Sequence, residues 1–338
     1  MWFLWLACVE YGSKLPSQDI EEFEDTALSI EDFSSLGVDA DCDSILGTEI
    51  NTELSPHFQL WLQEYPEYGD LVRGDIDGGS FGGLINNTDC VQHIPVVFVH
   101  GNSDRAQGGL FKGWSSVLPT FAQADYRSSE LYGTTYGNPT TMTADTYTHD
   151  QANIMQVRNF IEAVLAYTGA EEVNLVAHSL GVTIARRAIL GGSEVDINGM
   201  MYDIGTPLTD KINTFIGIAG ANQGLASCTF ATTDVCNDGL GLYPGTWSNG
   251  SLIDQSNILT TLNSESHYEG SFVYSIWGEA DGLLGQDTAL DCLLYGANTC
   301  QIPAQDGEYN QYLNHFDIRD NTANVQLEMI QGIGNFER

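Results

Sequence analysis

The chain has 338 residues, which is enough to bury a large core within a single α/β domain. It carries 46 Asp plus Glu against 11 Lys plus Arg, a formal net charge of −35 at pH 7. Eleven cationic side chains could neutralise only a few phosphates, and the composition therefore argues against nucleic acid as a partner. It also argues against electrostatic docking on anionic membranes. An acidic surface also keeps copies of a protein apart, and we therefore expect a soluble monomer.

The N-terminal part of the chain has two predicted segments. Met1 to Val9 is nearly all apolar and favours a signal peptide over residues 1–12, although it is short and lacks a positively charged start. The alternative for this segment is an N-terminal helix packed on the domain. Residues 13–60 are acidic and are interpreted as an extension, either a pro-segment or a strap on the domain. No run elsewhere approaches the length of a membrane span, so we expect no stable membrane anchor.

One pattern in the acidic extension has the spacing of a calcium loop. Asp39, Asp41 and Asp43 alternate as EF-hand ligands do. Ser44 and Ile50 occupy the places where such a loop needs glycine and glutamate, and no Cys and His spacing suggests zinc. We therefore predict no metal site and no cofactor.

A buried strand and an amphipathic helix are predicted next in chain order. Ile94 to Val99 is a β-branched and aromatic run that predicts a buried strand, and His100-Gly101 follows it. Asn153 to Tyr167 places its apolar residues on one helical face, and Gly169 ends the helix. This helix leads into another strand, as a right-handed crossover requires.

The most informative stretch of the chain begins at that strand. Val173 to Val176 predicts a short buried strand, and Gly181 to Leu190 predicts a helix, with Ser179 at the turn between them. This is the pattern of a nucleophile elbow, with Ala177 where the usual pattern has glycine. A buried serine before an ordinary helix is the alternative, and the strand–turn–helix order favours the elbow.

An elbow serine implies an oxyanion hole made of backbone N–H groups. In α/β-hydrolases one donor is the residue after the nucleophile, here Leu180, and the other lies in the loop after an early strand. The candidates for this second donor are Asn102 and Ser103, and each donor stabilises the transition state by about 3–4 kcal/mol. We interpret His100 as a loop histidine that fixes backbone groups beside the hole.

The general base is chosen among seven histidines. In α/β-hydrolases the chain order is serine, acid, histidine, and only His267 and His315 follow the nucleophile. His267 lies in a polar loop and is interpreted as an exposed loop residue, which leaves His315 as the predicted base. His178 lies beside Ser179 on the elbow, so we expect its side chain to point elsewhere.

The predicted acid follows a later strand. Ser271 to Gly278 has the apolar and aromatic content of a core strand, and two acidic residues come directly after it. Asp281 is the predicted acid, and Glu279 is the alternative. The acid would orient the imidazole and stabilise its charged form.

Cysteine usage indicates an oxidising compartment. If Cys8 is removed with the leader, six cysteines remain, and their spacing suggests three bridges. The predicted bridges are Cys228–Cys236, Cys292–Cys300 and Cys42–Cys90. The alternative is free buried thiols in a cytosolic enzyme. Sequons at Asn86 and Asn249 permit glycosylation, and together these features favour a secreted protein.

Taken together, these segments resemble the class 2 lipases, a family of secreted α/β-hydrolases. The resemblance covers roughly residues 60–335. The segments that carry it are 79–83, 94–102, 175–181, 215–222, 273–277 with Asp281, 302–303 and the surroundings of His315. It implies lipase or carboxylesterase activity on acyl esters, with Ser179, Asp281 and His315 in the triad positions.

The predicted fold is therefore α/β: an α/β-hydrolase catalytic domain over residues 61–338, with a mostly parallel central sheet, helices on both faces and the acidic N-terminal extension. The predicted function is a secreted lipase whose partner is a lipid or another acyl-ester substrate. The alternatives are an extracellular polyester depolymerase and a non-catalytic lipid-binding protein on the same fold. Residues 103–150 and 225–270 are the candidates for the cap and the acyl pocket.

Overall fold

The computed structural model describes residues 50–85, 89–248, 251–284, 301–334 and 336. Several predictions lie outside the described residues, and they stay predictions. They are the leader at 1–12, the extension up to residue 49 with its Asp39–Asp43 pattern, both sequons, and Cys8, Cys42, Cys292 and Cys300.

A seven-stranded sheet forms the centre of the domain, with the strand order β1-β3-β2-β4-β7-β10-β11. Its strands are β1 (Ser80–Phe81), β2 (Val96–Val99), β3 (Leu131–Thr134), β4 (Val173–His178), β7 (Ile212–Ile218), β10 (Phe272–Gly278) and β11 (Gly307–Gln311). All neighbouring pairs are parallel except β1 with β3. Two antiparallel hairpins lie outside it: β5 (Gly192–Val195) with β6 (Met201–Gly205), and β8 (Thr246–Ser248) with β9 (Ser251–Ile253).

The α-helices of the described residues lie between and after these strands. They are α1 (Pro56–Glu64), α2 (Leu118–Gln123), α3 (Gln151–Thr168), α4 (Leu180–Leu190), α5 (Asn257–Leu262), α6 (Asp317–Asp320) and α7 (Ala323–Ile330). Helix α3 shows how the sequence sets the ends of an element. The Asp150 side chain accepts a hydrogen bond from the Asn153 N–H at 2.8 Å, and Gly169 ends the helix in the left-handed conformation at φ 69°.

The strand order explains why helices cover both faces of the sheet. The chain runs from β2 outward to β3 through α2, then reverses and runs through α3 and α4 toward β7. Parallel crossovers are right-handed, so connections that run in opposite directions place their helices on opposite faces. Accordingly α3 packs on α4, while α2 packs on α7. The predicted α/β-hydrolase fold with a mostly parallel sheet is confirmed.

The element boundaries differ slightly from those read from the sequence. Strand β2 begins at Val96 rather than Ile94, and Pro95 before it has no N–H to donate to a ladder. Strand β4 continues to His178, and α4 begins at Leu180, so the turn between them is Ser179 alone.

Residues near the end of the predicted extension pack into the domain core. Leu54 and Phe58 are buried, and Phe58 stacks on Tyr167 of α3 with the ring centroids 4.1 Å apart. Leu54 also forms a β-bridge with Gly82. The segment that contains α1 is therefore part of the core on the α3 side.

Candidate active site

The turn at Ser179 has the geometry of a nucleophile elbow. Ser179 adopts φ 57° and ψ −130° between β4 and α4, and its N–H donates to the Ile218 carbonyl at 2.8 Å. A Cβ on Gly181 would lie 2.1 Å from the His100 carbonyl oxygen, and a Cβ on Gly101 would lie 2.8 Å from the Ser179 Cβ. Small residues are thus required because the helix start is pressed against the end of β2.

The three predicted triad residues form one hydrogen-bonded chain. His315 Nε2 lies 2.9 Å from Ser179 Oγ, and His315 Nδ1 lies 2.7 Å from Asp281 Oδ2. All three side chains are buried. A carboxylate only accepts, so Nδ1 carries the proton in this arrangement and Nε2 is left to accept from the serine hydroxyl.

One of the two candidate acids, Asp281, contacts the His315 imidazole. Asp281 contacts His315 with one oxygen, and its Oδ1 accepts from the N–H groups of Leu283 and Leu284, each at 3.1 Å. The backbone N–H of Glu279 donates to the Gln311 carbonyl, next to the end of β10. These bonds hold the Asp281 carboxylate in one orientation.

The other histidine downstream of the nucleophile lies elsewhere. His267 Nε2 is 2.8 Å from Asp306 Oδ2, and both side chains are partly exposed. His267 is therefore a surface residue with its own carboxylate partner.

The predicted oxyanion donors lie beside the nucleophile. Asn102, Ser103 and Leu180 line the same cavity as Ser179. Leu180 is the first residue of α4. An N–H at this position has no acceptor within its own helix and lies at the positive end of the helix dipole. Ser103 adopts the left-handed conformation at φ 59°. The Asn102 side chain is itself engaged, because its Nδ2 donates to the Ala144 carbonyl at 2.7 Å.

His100 fixes the backbone beside this loop, as the sequence analysis predicted. Its Nδ1 donates to the Gly101 carbonyl at 2.7 Å, and its Nε2 accepts from the Tyr136 N–H at 3.1 Å. Complete burial lowers the pKa of His100 from 6.5 to about 4. The neutral ring therefore holds one donor and one acceptor in place.

Two further histidines near the site have roles that the sequence analysis did not find. His178 Nε2 donates to the main-chain carbonyl of His315 at 2.9 Å, and burial, followed by the nearby His315, lowers its pKa well below the usual value. His149 joins the Leu240 carbonyl to the Thr183 hydroxyl of α4, and burial lowers its pKa to about 4. No local sequence pattern signals either contact.

A cavity of about 400 Å³ opens at the nucleophile. Its wall comes largely from the two segments that were predicted as cap and acyl pocket. The lining residues from 103–150 are Ser103, Phe111, Thr141, Ala144 and Asp145, and those from 225–270 are Leu225, Ser227, Val235 and Leu242. Leu283, Leu284 and Phe316 complete an apolar wall next to the triad.

A disulfide closes the second of these segments. Cys228 and Cys236 are bonded, as predicted from their spacing, and both are buried. Cys90 is also disulfide-bonded, while Cys42, the predicted partner, lies outside the described residues. The Cys228–Cys236 bridge ties together the stretch that contributes Val235 to the cavity wall.

The strand order and the elbow geometry define an α/β-hydrolase domain. The family described as Lipase (class 2) matches residues 93–328, most of the chain. The chain belongs to the class 2 lipase family, which confirms the resemblance seen in the sequence. A comparison with curated proteins found no match.

Three solved structures of lipases match this chain at low sequence identity. The propeptide form of Bacillus licheniformis lipase BlEst2 is 14% identical with a TM-score of 0.47, over 77% of this chain and 54% of that one. The mature form is 14% identical with a TM-score of 0.45, over 72% of this chain and 96% of that one. Aspergillus fumigatus lipase B is 12% identical with a TM-score of 0.47, over 72% of this chain and 54% of that one. The chain thus spans about half the length of the first and third of these structures.

Within the ranges given above, no helix combines the length and apolar character that crossing a bilayer requires. In the same part of the chain, no group of three or more His, Cys, Asp or Glu is arranged to hold a metal ion.

Proposed function

We propose that this chain hydrolyses neutral acylglycerol esters through a Ser179–His315–Asp281 triad and a covalent acyl-enzyme. The observation that carries the proposal is the unbroken hydrogen-bonded chain from Asp281 Oδ2 through His315 to Ser179 Oγ, at 2.7 and 2.9 Å. The serine at the end of this hydrogen-bonded series lines a cavity with a largely apolar wall. Such a site suits a substrate that places an ester carbonyl at the serine and a hydrocarbon chain in the cavity.

In the first half-reaction, Ser179 Oγ attacks the ester carbonyl carbon while His315 Nε2 takes the hydroxyl proton. The carbonyl oxygen becomes an oxyanion, which the N–H of Leu180 and the N–H of Asn102 or Ser103 stabilise. The intermediate then collapses, the C–O bond to the alcohol breaks, and the imidazolium gives its proton to the departing alkoxide. Asp281 stabilises the imidazolium throughout this step.

In the second half-reaction, water replaces the alcohol. His315 takes a proton from the water, whose oxygen attacks the acyl carbon, and the same two donors hold the second oxyanion. Collapse releases the fatty acid and returns the proton to Ser179 Oγ. The enzyme is then ready for another substrate.

The character of the cavity supports an uncharged substrate. Asp145 is the charged residue among the cavity-lining side chains of the described segments, and the protein as a whole carries a formal charge of −35. Both disfavour an anionic head group at the mouth. Met142 and Phe230 are 89% and 92% exposed on segments that line the cavity, and exposed apolar groups favour contact with a water-insoluble substrate.

We also infer that the protein works outside the cell as a monomer. The buried Cys228–Cys236 bridge supports an oxidising compartment. The strongly negative net charge supports separation of the copies in solution. Analytical ultracentrifugation of the purified full chain checks the second inference, and a dimer at micromolar concentration would overturn it.

The test compares the wild type with Ser179→Ala on p-nitrophenyl acetate, butyrate, octanoate and palmitate, emulsified triglyceride and a polyester film. We expect turnover of the longer esters and of triglyceride, and its loss in Ser179→Ala. The exposed Ser264 provides a matched control, because Ser264→Ala changes a serine on the surface and should leave turnover intact. Wild-type inactivity on every ester would support a lipid-binding protein. Preference for the film would support a polyester depolymerase.

A further inference from the structure

A buried ion pair joins two segments that meet at the active site. Arg319 Nη1 lies 2.7 Å from Asp104 Oδ2, and the two residues are 215 positions apart in the chain. The Arg319 side chain is fully buried, and that of Asp104 is 3% exposed. Withdrawing two charges from water costs free energy, so a buried ion pair often adds little net stability. The position of this pair indicates another role.

Asp104 belongs to the turn that carries the oxyanion candidates. The Asp104 N–H donates to the Gly101 carbonyl at 3.2 Å and closes the turn around Asn102 and Ser103. Its Oδ1 accepts from the N–H groups of Arg105 at 2.9 Å and Gly113 at 3.2 Å, which leaves Oδ2 for Arg319. The carboxylate therefore fixes the end of the turn whose backbone N–H must face the substrate.

Arg319 belongs to the segment that carries the catalytic histidine. It lies on α6, four residues after His315, and its Nη2 donates to the Phe111 carbonyl at 2.6 Å. The ring of Phe111 stacks on Phe316, with centroids 4.7 Å apart and planes within 3°, and both rings line the cavity. The guanidinium also lies 5.8 Å from the centre of the Trp114 ring.

The planar guanidinium thus connects three parts of the site with hydrogen bonds in a fixed fork. Nη1 holds the oxyanion turn, Nη2 holds the wall at Phe111, and Nε donates to Asp320 Oδ1 at 2.8 Å on Arg319's own helix. The distance from the His315 imidazole to the oxyanion donors is then set through a rigid connection rather than through two independent loops.

We propose that Arg319 and Asp104 are positioning residues for the transition state, because together they fix the oxyanion turn relative to His315. The inference rests on the proposed function, since it assigns these residues to the same hydrolysis. The pair acts through the turn and the histidine segment, and neither member is among the described residues that line the cavity. Loss of the pair misplaces the oxyanion donor more than it weakens binding of the substrate.

The test measures kcat and KM for a soluble ester with Arg319→Gln, Arg319→Lys and Asp104→Asn in the full chain. We expect kcat to fall about tenfold to hundredfold in Arg319→Gln, while KM stays within about twofold of the wild type. The loss should not exceed the roughly 10²–10³-fold loss of kcat that follows complete removal of an oxyanion donor. Arg319→Lys keeps the charge and one bond to Asp104, so it should recover part of kcat. It also carries the test if Arg319→Gln does not fold.

A second readout separates positioning from general destabilisation. A trifluoromethyl ketone forms a tetrahedral adduct with Ser179 and needs the oxyanion hole, so its inhibition constant should weaken by the same factor as kcat falls. Asp104→Asn combined with Arg319→Gln should lose less than the product of the two single losses, because both changes break the same connection.

Arg158 provides the matched control. It is a buried arginine that donates to the carbonyls of Ala188 and Thr206, away from the oxyanion turn. Arg158→Gln should lower the melting temperature while kcat and inhibitor binding stay unchanged. If a folded Arg319 variant keeps the wild-type kcat, or if Arg158→Gln reproduces its losses, the proposal is overturned. If the wild type shows no Ser179-dependent hydrolysis, it is the proposed function that fails.

Discussion

Ser179 occupies a backbone conformation that serine seldom adopts, with φ 57° and ψ −130°. Conformations of this kind cost about 1–3 kcal/mol and persist where the surroundings determine them. Here β4 and α4 hold both sides of the residue, and its N–H is bonded to Ile218. The constraint keeps the hydroxyl 2.9 Å from His315 Nε2 before any substrate arrives.

At the same scale, the two acids near the imidazole can be separated by substitution. Asp281→Asn should lower kcat by about 10⁴, because the amide favours the wrong imidazole tautomer and removes a negative charge. Glu279→Gln is the matched control, since it neutralises a carboxylate two residues away and should keep wild-type turnover. Steady-state kinetics on a soluble ester check both. Loss of activity in Glu279→Gln with retention in Asp281→Asn would reverse the assignment.

At the scale of the element, the elbow depends on close packing between α4 and the end of β2. A methyl group at Gly181 would lie 2.1 Å from the backbone oxygen of His100, and backbone atoms cannot move aside as a flexible side chain can. The glycine is thus required by a close approach rather than by its own backbone angles.

Gly181→Ala should therefore both destabilise the fold and impair catalysis. We expect a loss of about 1–3 kcal/mol in the free energy of unfolding, typical of overpacked sites, and a lower kcat because the helix start moves. Gly74→Ala is the control, because no atom lies within 4 Å of the added methyl. Urea unfolding and ester kinetics measure both effects. Wild-type kcat in a folded Gly181→Ala protein would contradict the packing argument.

The segment closed by Cys228–Cys236 is a second element with a testable role. It contributes Val235 to the cavity wall, together with Ser227 just before the bridge, and the bridge restrains both ends of the stretch that contains Val235. The Cys228→Ser, Cys236→Ser double variant should lose about 2–4 kcal/mol of stability, although part of this can arise in the unfolded chain.

The same double variant should also change selectivity among esters. We expect kcat/KM to fall more for p-nitrophenyl octanoate than for acetate, because the short acyl group makes less use of the wall. Thermal denaturation and the ester series provide the two readouts. An unchanged octanoate-to-acetate ratio would show that the bridge does not shape the acyl site.

At the scale of the whole molecule, histidines make stability depend on pH in two opposite directions. Burial lowers the pKa values of His100 and His149 from 6.5 to about 4, so the unfolded chain binds protons that the folded chain does not. Stability should therefore fall as the pH falls from 6.5 toward 4. For His93, the hydrogen bond that its ring donates to the Glu130 carboxylate raises the pKa, and its contribution is present below pH 6.5 and is lost as pH rises through the folded pKa.

The combined contribution of these three histidines to stability is greatest near pH 6.5. His149→Gln keeps one donor and one acceptor but does not titrate, so it should reduce the slope of the unfolding free energy on the acid side by up to about 1.4 kcal/mol per pH unit. His93→Gln should flatten the decline above pH 6.5 and leave the acid side unchanged. Denaturant titrations at several pH values check both. An unchanged acid slope in His149→Gln would contradict the assignment.

The local elements of this molecule could be predicted because local patterns determine them. The strand before Ser179, the turn and the amphipathic helix after it each depend on neighbouring residues, as do the caps at Asp150 and Gly169. The pairing of Cys228 with Cys236 follows from their short spacing. Boundaries moved by one or two residues, as at Pro95, where a missing N–H limits the strand.

What the sequence by itself determined is the fold class, the family and a short set of candidate residues in the order serine, acid, histidine. Only the tertiary structure decided that Asp281 rather than Glu279 contacts His315, that His178 bonds the main chain of His315, and that Arg319 reaches Asp104. The physical reason is distance along the chain. Hydrophobic periodicity depends on neighbouring residues, whereas these hydrogen bonds join residues 34 to 215 positions apart and exist only after the fold has brought their loops together.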